Sequence, residues 1–445
     1  MIESWRLAFG LSPQRQIVML QEQIYWHQTV SMPSENAPTA LPRKVDVAVI
    51  GGGFTGLSAA RALARRGVKV AVLEAETMGW GASSRNGGMV LTGLKLGMQS
   101  IAGKYGLDLA RRMWQCSLEA ILLVEQIVRD EKIDCGFART GHLLAASKPG
   151  HYSALEAEAA YMDREFGHSL RLVPQSRQRS EIGSDTFYGG LVDDLSAGLN
   201  PAQYVTGLAG AAGRVGAVLC SGARVLQIQR RAGTFDLVTA AGNVEAERVF
   251  VATAGYTGAG TPALRRKIIP IGSFIIATER LREDVIGTLN PNNRMIFDSR
   301  HYLHYFRTWD QRMIFGGRAA FFPENASTVR RSAEILRRDM IRIFPQLAEA
   351  RIEYAWGGTL DFAFDTMAHA GELDGLGYAL GYAGHGVALG TYLGQTAAEA
   401  LMDGTLKDHA FNAAAFPDAP LGLYSGWPWF LPFAGLWYRI LDLFE

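Results

Sequence analysis

The spacing of hydrophobic and polar residues changes several times along the chain, and the first clear pattern lies at residues 45–74. An apolar run rich in β-branched residues, 45–50, is typical of a strand buried on both faces. Helical spacing follows and stops at Gly67, a natural left-handed end, before a second apolar run at 68–73. Because strands buried on both faces belong to parallel sheets covered by helices, the pattern predicts an α/β unit here.

Farther along, helical spacing and strand-like alternation come in turn. Asn200 and Pro201 form a strong helix start, in which a cap residue precedes a proline in the first turn. In the second half of the chain, runs that alternate like antiparallel strands indicate a second domain with its own sheet. The predicted helices are 107–129, 202–214, 328–344 and one ending near 402, and the strand-like runs are 218–229, 234–239, 247–255, 268–277, 295–307 and 313–317.

Three glycines between the first strand and the first helix form the pattern Gly-x-Gly-x-x-Gly. Gly51 permits a tight turn, Gly53 lets the backbone approach a pyrophosphate, and Gly56 lets the helix pack closely on the strand. The N–H groups and positive dipole end of that helix attract phosphates. Glu74 closes the second strand, where a carboxylate accepts hydrogen bonds from ribose hydroxyls and repels a 2′-phosphate. The pattern predicts FAD or NAD rather than NADP, with a turn that binds no ligand as the alternative.

Composition narrows the class of protein without selecting a reaction. With 445 residues, 48% of them hydrophobic, the chain is long enough for two or three domains with sizeable cores. Lys plus Arg number 44 and Asp plus Glu 43, so no overall field favours nucleic acid or an anionic membrane. Three distant cysteines without a Cys-x-x-Cys pair argue against a dithiol enzyme and a zinc site, and no metal is expected. No apolar run has the length of a signal peptide or a membrane span, which favours a cytoplasmic protein.

Two further glycine-rich stretches lie at positions where a ligand would meet backbone. Residues 78–88 follow the second strand and combine glycines with serines, Trp80 and Asn86. Such a loop can wrap amides and hydroxyls around phosphates or a ring system, and a flexible surface loop is the alternative. Gly384, His385 and Gly386 again put glycines at a helix start.

With these motifs in order, the chain resembles the D-amino-acid-oxidase-like family of FAD-dependent amine and amino-acid oxidoreductases, and most closely its γ-glutamylputrescine oxidase branch. The resemblance covers nearly the whole chain after residue 20. It rests on 51–56 with Glu74, on 79–88, on 252–256, on 305–307 with 315–318, and on 381–386. It implies an α/β fold, α+β overall, with a Rossmann-type FAD-binding domain of the glutathione-reductase-like kind and a substrate domain with a mainly antiparallel sheet. The implied division is an N-terminal arm, 1–44; a discontinuous FAD-binding domain, 45–95, 196–265 and 345–410; a substrate domain, 96–195 and 266–344; and an aromatic C-terminal tail, 411–445.

The resemblance also assigns residues to FAD. The loop ending at Gly88 would lie along the pyrophosphate and flavin, Val225 would offer its backbone to the adenine, and residues 384–386 would face the pyrimidine end of the isoalloxazine. A helix N-terminus there stabilises negative charge on the reduced ring, while His385 adds a hydrogen bond or charge, or only caps the helix. The implied FAD-binding residues are Gly51, Gly53, Phe54, Thr55, Gly56, Glu74, Ala75, Gly81, Ala82, Ser83, Ser84, Arg85, Asn86, Gly87, Gly88, Val225, Ala254, Gly255, Gly358, Gly384, His385, Gly386, Val387 and Ala388.

The chain departs from the sarcosine-oxidase type of this family at two points. Those members tether FAD through a cysteine in the C-terminal half and hold the substrate carboxylate with a lysine three residues after the Gly-His-Gly histidine. Here the last cysteine is Cys220, and that position is Ala388. The FAD is therefore expected to be non-covalent, and an α-carboxylate needs another partner or is absent.

The reaction implied by the resemblance is FAD-dependent oxidation of the C–N bond of an amine or amino acid. Hydride passes from the carbon that bears the unprotonated amine to flavin N5, water hydrolyses the imine, and O2 or another acceptor takes the electrons. A γ-glutamylputrescine-like amine is favoured, as in polyamine catabolism, and the alternative is a secondary or D-amino acid. More remote are an FAD-dependent aromatic hydroxylase, whose late Gly-Asp is missing here, and a non-enzymatic flavin-binding protein.

Candidate substrate contacts come from residues 299–308, if these form one strand. Alternation then puts His301, Leu303, Tyr305 and Arg307 on one face, with His304 on the other. Arg307 or Arg318 would fork onto a carboxylate, and Tyr305, Trp356 and Phe274 would line an apolar pocket, with ion pairs and core packing as the alternatives. The residues expected to carry the chemistry are His385, Arg307, Tyr305 and Trp356.

The two ends of the chain are expected to pack on the body without chemistry. The arm has one apolar helical patch, 17–25, followed by a connector, 31–42. The tail is aromatic over 427–433 and 436–444, with Arg439 as the cation of its polar face, which favours docking on the body or a neighbouring subunit over a membrane interface.

Overall fold

The computed structural model describes residues 20–32, 40–320, 326–422 and 424–431. Residues 17–19 of the apolar patch, 33–39 of the connector, and 423 and 432–445 of the aromatic tail lie outside these ranges. Among the helices within them, none is long and apolar enough to cross a membrane.

The described chain contains helices and strands along its whole length, with several runs of consecutive strands. The strands are β1 Lys44–Ile50, β2 Val70–Leu73, β3 Met89–Val90, β4 His142–Ala145, β5 Arg171–Pro174, β6 Gly189–Asp193, β7 Ala197–Gly198, β8 Val218–Cys220, β9 Val225–Arg231, β10 Thr234–Thr239, β11 Gly242–Val251, β12 Ile268–Thr278, β13 Met295–Asp298, β14 His304–Trp309, β15 Arg312–Ala320, β16 Ile352–Ala363, β17 His369–Leu373 and β18 Leu376–Leu380. The helices are α1 Phe54–Arg65, α2 Met98–Tyr105, α3 Leu107–Asp130, α4 Pro149–Phe166, α5 Pro201–Arg214, α6 Pro262–Arg265, α7 Glu283–Leu289, α8 Ala326–Ile343 and α9 Ala388–Asp403.

The first sheet contains the predicted α/β unit. In the described part of the chain it has eight strands, and its main path runs β17-β18-β11-β1-β2-β8. Strands β11, β1, β2 and β8 are parallel neighbours, while β9 and β10 extend the sheet as antiparallel strands beside β11. β1 and β2 consist almost wholly of Val, Ala, Ile and Leu, and α1, α5 and α9 cover them on one side. The predicted α/β unit is confirmed.

The second sheet is mainly antiparallel, as predicted. Its order within the described ranges is β16-β12-β15-β14-β13-β4-β6-β5, and the β13–β4 pair is parallel. One face packs on α8 through Phe306, Phe315 and their neighbours. The opposite face, called the inner face below, carries a row of cross-strand neighbours that includes Phe297, Tyr305 and Trp356.

Two expectations about strands are wrong. The run 295–307 is not continuous, because Asp298 Oδ1 accepts the N–H groups of Arg300 and His304 at 3.3 and 3.1 Å and bends the chain into a turn. β14 begins only at His304, so His301 and Leu303 do not share a strand face with Tyr305. The run 218–229 is likewise split into β8 and β9.

The sheets also divide the chain differently from the domain prediction in two places. β16 lies in the segment 345–410 that was assigned to the FAD-binding domain, yet it pairs with β12 along its length and belongs to the second sheet. α3 lies in the segment 96–195 that was assigned to the substrate domain, yet its apolar stripe joins the core built on α1, α5 and α9. In both places an apolar surface packs against a partner that is distant in sequence.

The arm contributes a short 3-10 helix, Tyr25–Thr29, to the interior. Tyr25 and Trp26 are buried in a cluster with Tyr354, Trp356 and Ile275 on the inner face of the second sheet. Gln21 forms a β-bridge with Tyr354, which fixes the arm against β16. The arm is therefore part of the core between the two sheets.

Candidate active site

The glycine turn is built by close backbone approach. Gly51 has φ +106°, and a Cβ added there would lie 2.6 Å from Ala252 O. A Cβ on Gly56 would lie 1.9 Å from Gly51 O, and one on Gly394 of α9 would lie 2.2 Å from Thr55 O. α1 therefore packs against both the glycine turn and α9 as closely as backbone atoms allow, and its N-terminus lies between them.

The N-terminus of α1 faces a cleft of about 1450 Å³, its open mouth included. It runs from Glu74 and Val225, past the glycine turn, to Gly384 and Val387. Its lining includes the predicted residues Gly51, Gly53, Phe54, Thr55, Glu74, Ala75, Gly81, Ala82, Ser83, Asn86, Val225, Ala254, Gly384, Gly386 and Val387. It also includes residues that the sequence did not single out as ligands, among them Trp80, Arg224, Tyr256, Asp361 and Tyr382.

Glu74 stands at the first end of the cleft, held by backbone amides. Gly52 N–H donates to Glu74 Oε2 at 2.6 Å, and Glu76 N–H donates to Oε1 at 2.9 Å. Burial raises the pKa of Glu74 against the effect of these bonds. A carboxylate fixed in this way presents its remaining lone pairs to the cleft, as a ribose diol requires.

The 79–88 loop crosses the cleft and holds its own shape. Asn86 Nδ2 donates to the carbonyls of Ala82 and Ser83, and Asn86 Oδ1 accepts the N–H of Gly88 at 2.7 Å. Ser83 Oγ accepts the N–H of Phe54, the first residue of α1, at 3.0 Å. The loop is thus an ordered turn whose hydroxyl already meets the helix end that attracts anions.

Side chains from distant segments support this loop from behind. Trp356 Nε1 donates to Arg85 O, and Trp26 Nε1 donates to Asn86 O, both at 2.8 Å. His27 Nε2 lies 2.9 Å from Ser84 Oγ, so Ser84 faces the arm. The arm and β16 therefore set the position of the loop.

Gly87 and Gly88 give the loop room to pass the second sheet. A Cβ on Gly87 would lie 3.3 Å from the ring of Tyr305. Gly88 has φ +69°, and a Cβ there would lie 2.0 Å from Leu199 O. Tyr305 Oη lies 3.0 Å from Ser273 Oγ, and burial raises the pKa of the phenol to about 12. Tyr305 therefore forms a neutral aromatic wall beside the loop.

Arg307 is buried and does not line the cleft. Its Nη1 donates to Leu199 O at 2.9 Å and to Gly88 O at 3.2 Å, its guanidinium lies 4.8 Å from the ring of Trp309, and its Nε has no partner among the described residues. Burial lowers the pKa of Arg307 to about 9. The guanidinium joins the loop to Leu199, the residue directly after β7, which is a positioning contact.

The far end of the cleft is the turn before α9. Leu389 N–H and Gly390 N–H donate to the carbonyls of His385 and Gly386, so both residues lie in the opening turn of α9. Burial, followed by the charges of Lys95 and His142, lowers the pKa of His385 to about 3. The imidazole is therefore neutral at neutral pH, and its Nδ1 is buried without a partner in the described structure.

Several predicted site residues lie near the cleft without lining it. Trp356 is buried and uses its indole N–H on the loop, and Phe274 packs on the α8 side of the second sheet because it points away from Trp356. Only the backbone of Arg318 is described, within β15. The predicted residues outside the lining are Gly56, Ser84, Arg85, Gly87, Gly88, Gly255, Gly358, His385, Ala388, Tyr305, Arg307 and Trp356.

The donor set of the cleft suits an adenine dinucleotide with a ring system at its far end. Gly53 caps α1 without a side chain, so the helix N-terminus faces the cleft next to Ser83. A second helix N-terminus, that of α9, lies at the opposite end with Gly384 and Gly386. Two anion-attracting helix ends, one near the middle and one at the far end, match a pyrophosphate and a ring that gains negative charge.

Comparison with known proteins agrees with this geometry. The family model described as "FAD dependent oxidoreductase" (DAO) matches residues 46–400. Gamma-glutamylputrescine oxidoreductase of Escherichia coli (strain K12) is 33% identical over 376 residues, 84% of this chain and 87% of the relative. "Probable oxidoreductase OrdL" of Haemophilus influenzae is 32% identical over 400 residues, 88% of this chain and 91% of the relative.

A solved structure supports the same fold. Glycine oxidase from Geobacillus kaustophilus superposes with a TM-score of 0.70 at 20% identity, over 85% of this chain and 99% of that chain. Together these matches confirm the resemblance that the motifs indicated.

Proposed function

The chain belongs to the DAO family of FAD-dependent oxidoreductases, and on that premise we propose that it oxidises the C–N bond of an amine or amino acid, with a γ-glutamylputrescine-like amine as the favoured substrate. The observation that carries this proposal is the 33% identity, over 84% of the chain, to a relative named gamma-glutamylputrescine oxidoreductase. The described cleft is compatible with it, because both helix ends and the loop suit the cofactor.

FAD would be held by the groups that line the cleft. The amides of the glycine turn and α1 would meet the pyrophosphate, Glu74 the ribose, and the opening turn of α9 the far end of the ring. When bound, FAD supplies the acceptor for a hydride and passes the electrons to O2 or another acceptor. The last cysteine is Cys220, so a non-covalent cofactor is part of the proposal.

The opening turn of α9 would stabilise negative charge through its backbone. His385 cannot add a positive charge at neutral pH because its pKa is about 3. Asp361 holds this turn in place, since its Oδ2 accepts the N–H of Gly381 at 2.6 Å and its carbonyl accepts the N–H of Ala383. Burial raises the pKa of Asp361 to about 7, which limits the negative charge that it brings to the cleft.

Three of the proposed chemistry-bearing residues act through position. Tyr305 lies against the 79–88 loop, while Arg307 and Trp356 donate hydrogen bonds to the carbonyls of Gly88 and Arg85. This scaffold would hold the substrate C–H against the cofactor with no side-chain acid, which oxidation of a neutral amine allows.

The test is anaerobic mixing of the FAD-loaded protein with polyamines, γ-glutamyl amines, secondary amino acids and D-amino acids. We expect a γ-glutamyl amine to bleach the yellow flavin absorbance without NAD(P)H, and air to restore it if O2 is the acceptor. Bleaching by NADPH alone would contradict the proposal. Bleaching only by amino acids would show that an amino acid, and not a γ-glutamyl amine, is the substrate. Free FAD mixed with the same amines is the control.

A further inference from the structure

Two aromatic side chains, called the aromatic pair below, meet across the cleft. Trp80 comes from the 79–88 loop and Tyr256 from the short 3-10 helix Ala254–Tyr256 after β11, and both line the cleft. Their ring centroids lie 5.6 Å apart at an interplanar angle of 69°, the edge-to-face arrangement that aromatic rings prefer. A Cβ added to Gly81 would lie 3.0 Å from the Tyr256 ring, so two walls of the cleft are in contact here.

The same two walls flank the glycine turn. Gly79 N–H donates to Gly52 O at 2.8 Å, which places the start of the 79–88 loop against the turn. On the other side, a Cβ on Gly51 would lie 2.6 Å from Ala252 O, which places the chain after β11 against the turn. The aromatic pair joins these walls and lines the same cleft as the turn, so it spans the cleft opposite the turn.

Each ring of the aromatic pair is also held from its own side. Arg85 lies over the Trp80 ring, with its guanidinium carbon 4.3 Å from the ring centroid, and its Nε donates to Trp80 O at 2.8 Å. Tyr256 Oη accepts the N–H of Thr359 on β16 at 3.2 Å. The aromatic pair therefore links the loop after β2, the turn after β11 and a strand of the second sheet.

The first end of the cleft is closed differently, by main-chain hydrogen bonds. Glu74 N–H donates to Cys220 O at 2.9 Å, Gly222 N–H donates to Glu76 O at 2.9 Å, and Ala223 N–H donates to Glu74 O at 2.7 Å. Opening the cleft there would break bonds that continue the β2–β8 ladder. The aromatic pair consists of side chains, which rotate without breaking the backbone bonds of either wall, so the cleft opens more readily at the pair.

The backbone beneath Tyr256 is fixed. Tyr256 N–H donates to Thr253 O at 2.9 Å, and Thr257 donates its N–H and its hydroxyl to Ala254 O at 3.2 and 2.7 Å. The hydroxyls of Thr253 and Thr257 lie 2.8 Å apart. Movement is therefore expected in the side chain of Tyr256, which is 37% exposed, and a substitution of that side chain should leave the turn in place.

We propose that Trp80 and Tyr256 form a clamp that closes over the pyrophosphate of FAD, and that FAD enters and leaves when the two rings separate. The glycine turn and the N-terminus of α1 would bind the phosphates from one side, and the aromatic pair would cover them from the other. This inference concerns the cofactor and goes beyond the proposed reaction, because it does not depend on which amine the enzyme oxidises.

A clamp has a kinetic signature that a simple contact lacks. A side chain that only touches bound FAD slows dissociation and leaves association unchanged. A closed pair that has to separate slows both processes, because only the open fraction of the protein admits or releases the ligand. Removing the clamp should therefore raise both rates and change the dissociation constant little.

The test is Tyr256→Ala, with both rates followed by FAD fluorescence. Association is measured after apoprotein is mixed with FAD, and release after the holoenzyme is diluted. We expect both rates to rise about 5- to 50-fold, the range of a lost aromatic pair and one lost hydrogen bond, and Kd to change less than about threefold. Tyr256→Phe keeps the ring and should raise both rates less than Tyr256→Ala. A rise in one rate alone in Tyr256→Ala, or in neither, would overturn the clamp.

Tyr188→Ala is the matched control. Tyr188 is 38% exposed, close to the 37% of Tyr256, and it does not line the cleft. This variant removes the same side chain from a similarly exposed position and is expected to change neither rate. If both rates rose as much in Tyr188→Ala as in Tyr256→Ala, a general loosening of the protein would explain them and the clamp would be overturned.

Trp80→Leu tests the aromatic pair from the opposite wall. It should also raise both rates, because it removes the ring that Tyr256 meets. The double variant Trp80→Leu/Tyr256→Ala should match the faster single variant within about twofold, since both substitutions act through one contact. Effects that multiply would show two independent contacts and would overturn the clamp. No amine takes part in these measurements, so a failure of the proposed reaction leaves their outcome unchanged.

Discussion

The two sheets are stabilised in different ways at their centres. β1 and β2 are made of Val, Ala, Ile and Leu apart from Lys44 and Asp46, and the ligand end of this sheet is backbone. β13 and β14 instead bury Asp298, His304 and Arg307, each at 2 to 5% exposure. The first sheet therefore relies on close apolar and backbone packing, and the second on paired polar groups that are costly to leave unpaired.

This difference has a functional meaning. A dinucleotide offers phosphates and ribose hydroxyls, which backbone amides and one carboxylate can bind without regard to most side chains. The second sheet instead supplies side chains fixed at defined positions, such as Tyr305 beside the 79–88 loop, from strands that are held by buried polar contacts. Changes at the first sheet should thus affect cofactor binding, and changes at the second should affect pH response and specificity.

Gly56→Ala should give the largest effect, because it breaks the backbone packing of the first sheet. The added Cβ would lie 1.9 Å from Gly51 O, which forces α1 away from the turn. We expect a cost of about 3 kcal/mol, or roughly a hundredfold loss of FAD affinity. FAD content after purification and an FAD titration of the apoprotein measure it.

Gly103→Ala is the matched control for that substitution. Gly103 lies in α2, and nothing lies within 4 Å of a Cβ built there. This variant should bind FAD like the wild type and be slightly more stable, as alanine is in helices. Equal FAD affinity in both variants would show that the turn tolerates a side chain.

Raising the pH should weaken the second sheet. Burial alone would lower the pKa of His304, but its hydrogen bonds to Asp298 and Asp339 outweigh burial and raise the pKa to about 9. A pKa raised in the folded state stabilises the protein below the unfolded value of 6.5, and this contribution is lost as the pH rises through about 9. We expect on the order of 3 kcal/mol, read from denaturant unfolding at pH 6.5 and 9.5.

The same measurement on His304→Gln separates this histidine from other titrating groups. The variant should be less stable at pH 6.5, since Asp298 loses its cation, and its free energy of unfolding should change less between the two pH values. A wild-type protein equally stable at both pH values would disprove the role of His304.

Trp356→Phe should have the smallest effect, at the loop where the two sheets meet. It removes the indole N–H that binds Arg85 O and leaves the aromatic packing largely intact. The expected cost is about 1 kcal/mol, with faster loss of FAD on dilution. Trp427→Phe, at a tryptophan that is 59% exposed, should change neither the melting temperature nor the rate of FAD loss. Identical melting temperatures and rates of FAD loss in the two variants would show that Trp356 does not support the loop.

The first sheet could be predicted because its rules are local. The Gly-x-Gly-x-x-Gly pattern follows a strand and opens a helix within a dozen residues, and the Asn200 side chain caps α5 through the N–H groups of Ala202 and Gln203 as the sequence indicated. Glycines and helix caps act on neighbours in the chain, so the local structure that they specify can be predicted without knowing the rest of the fold.

The contacts of the second sheet could not be predicted because they join distant segments. Arg307 bonds to carbonyls 219 and 108 residues away, and neither carbonyl has a sequence signature. The turn at Asp298 interrupted a run whose alternation alone indicated one strand.

The 3-10 helix of the arm gives the molecule a definite order of assembly. Tyr25 donates its hydroxyl to Asp310, 285 residues later in the chain, and Gln21 bridges to Tyr354 on β16. At about 5–20 residues per second, a ribosome takes roughly 15–60 s to make that separation, and the arm waits unpaired for its partners. The arm is fixed against β16, and Trp26 of the arm donates to Asn86 O. The 79–88 loop therefore gains this support only after β16 has been made. We therefore expect tight capture of the cofactor to follow completion of both sheets.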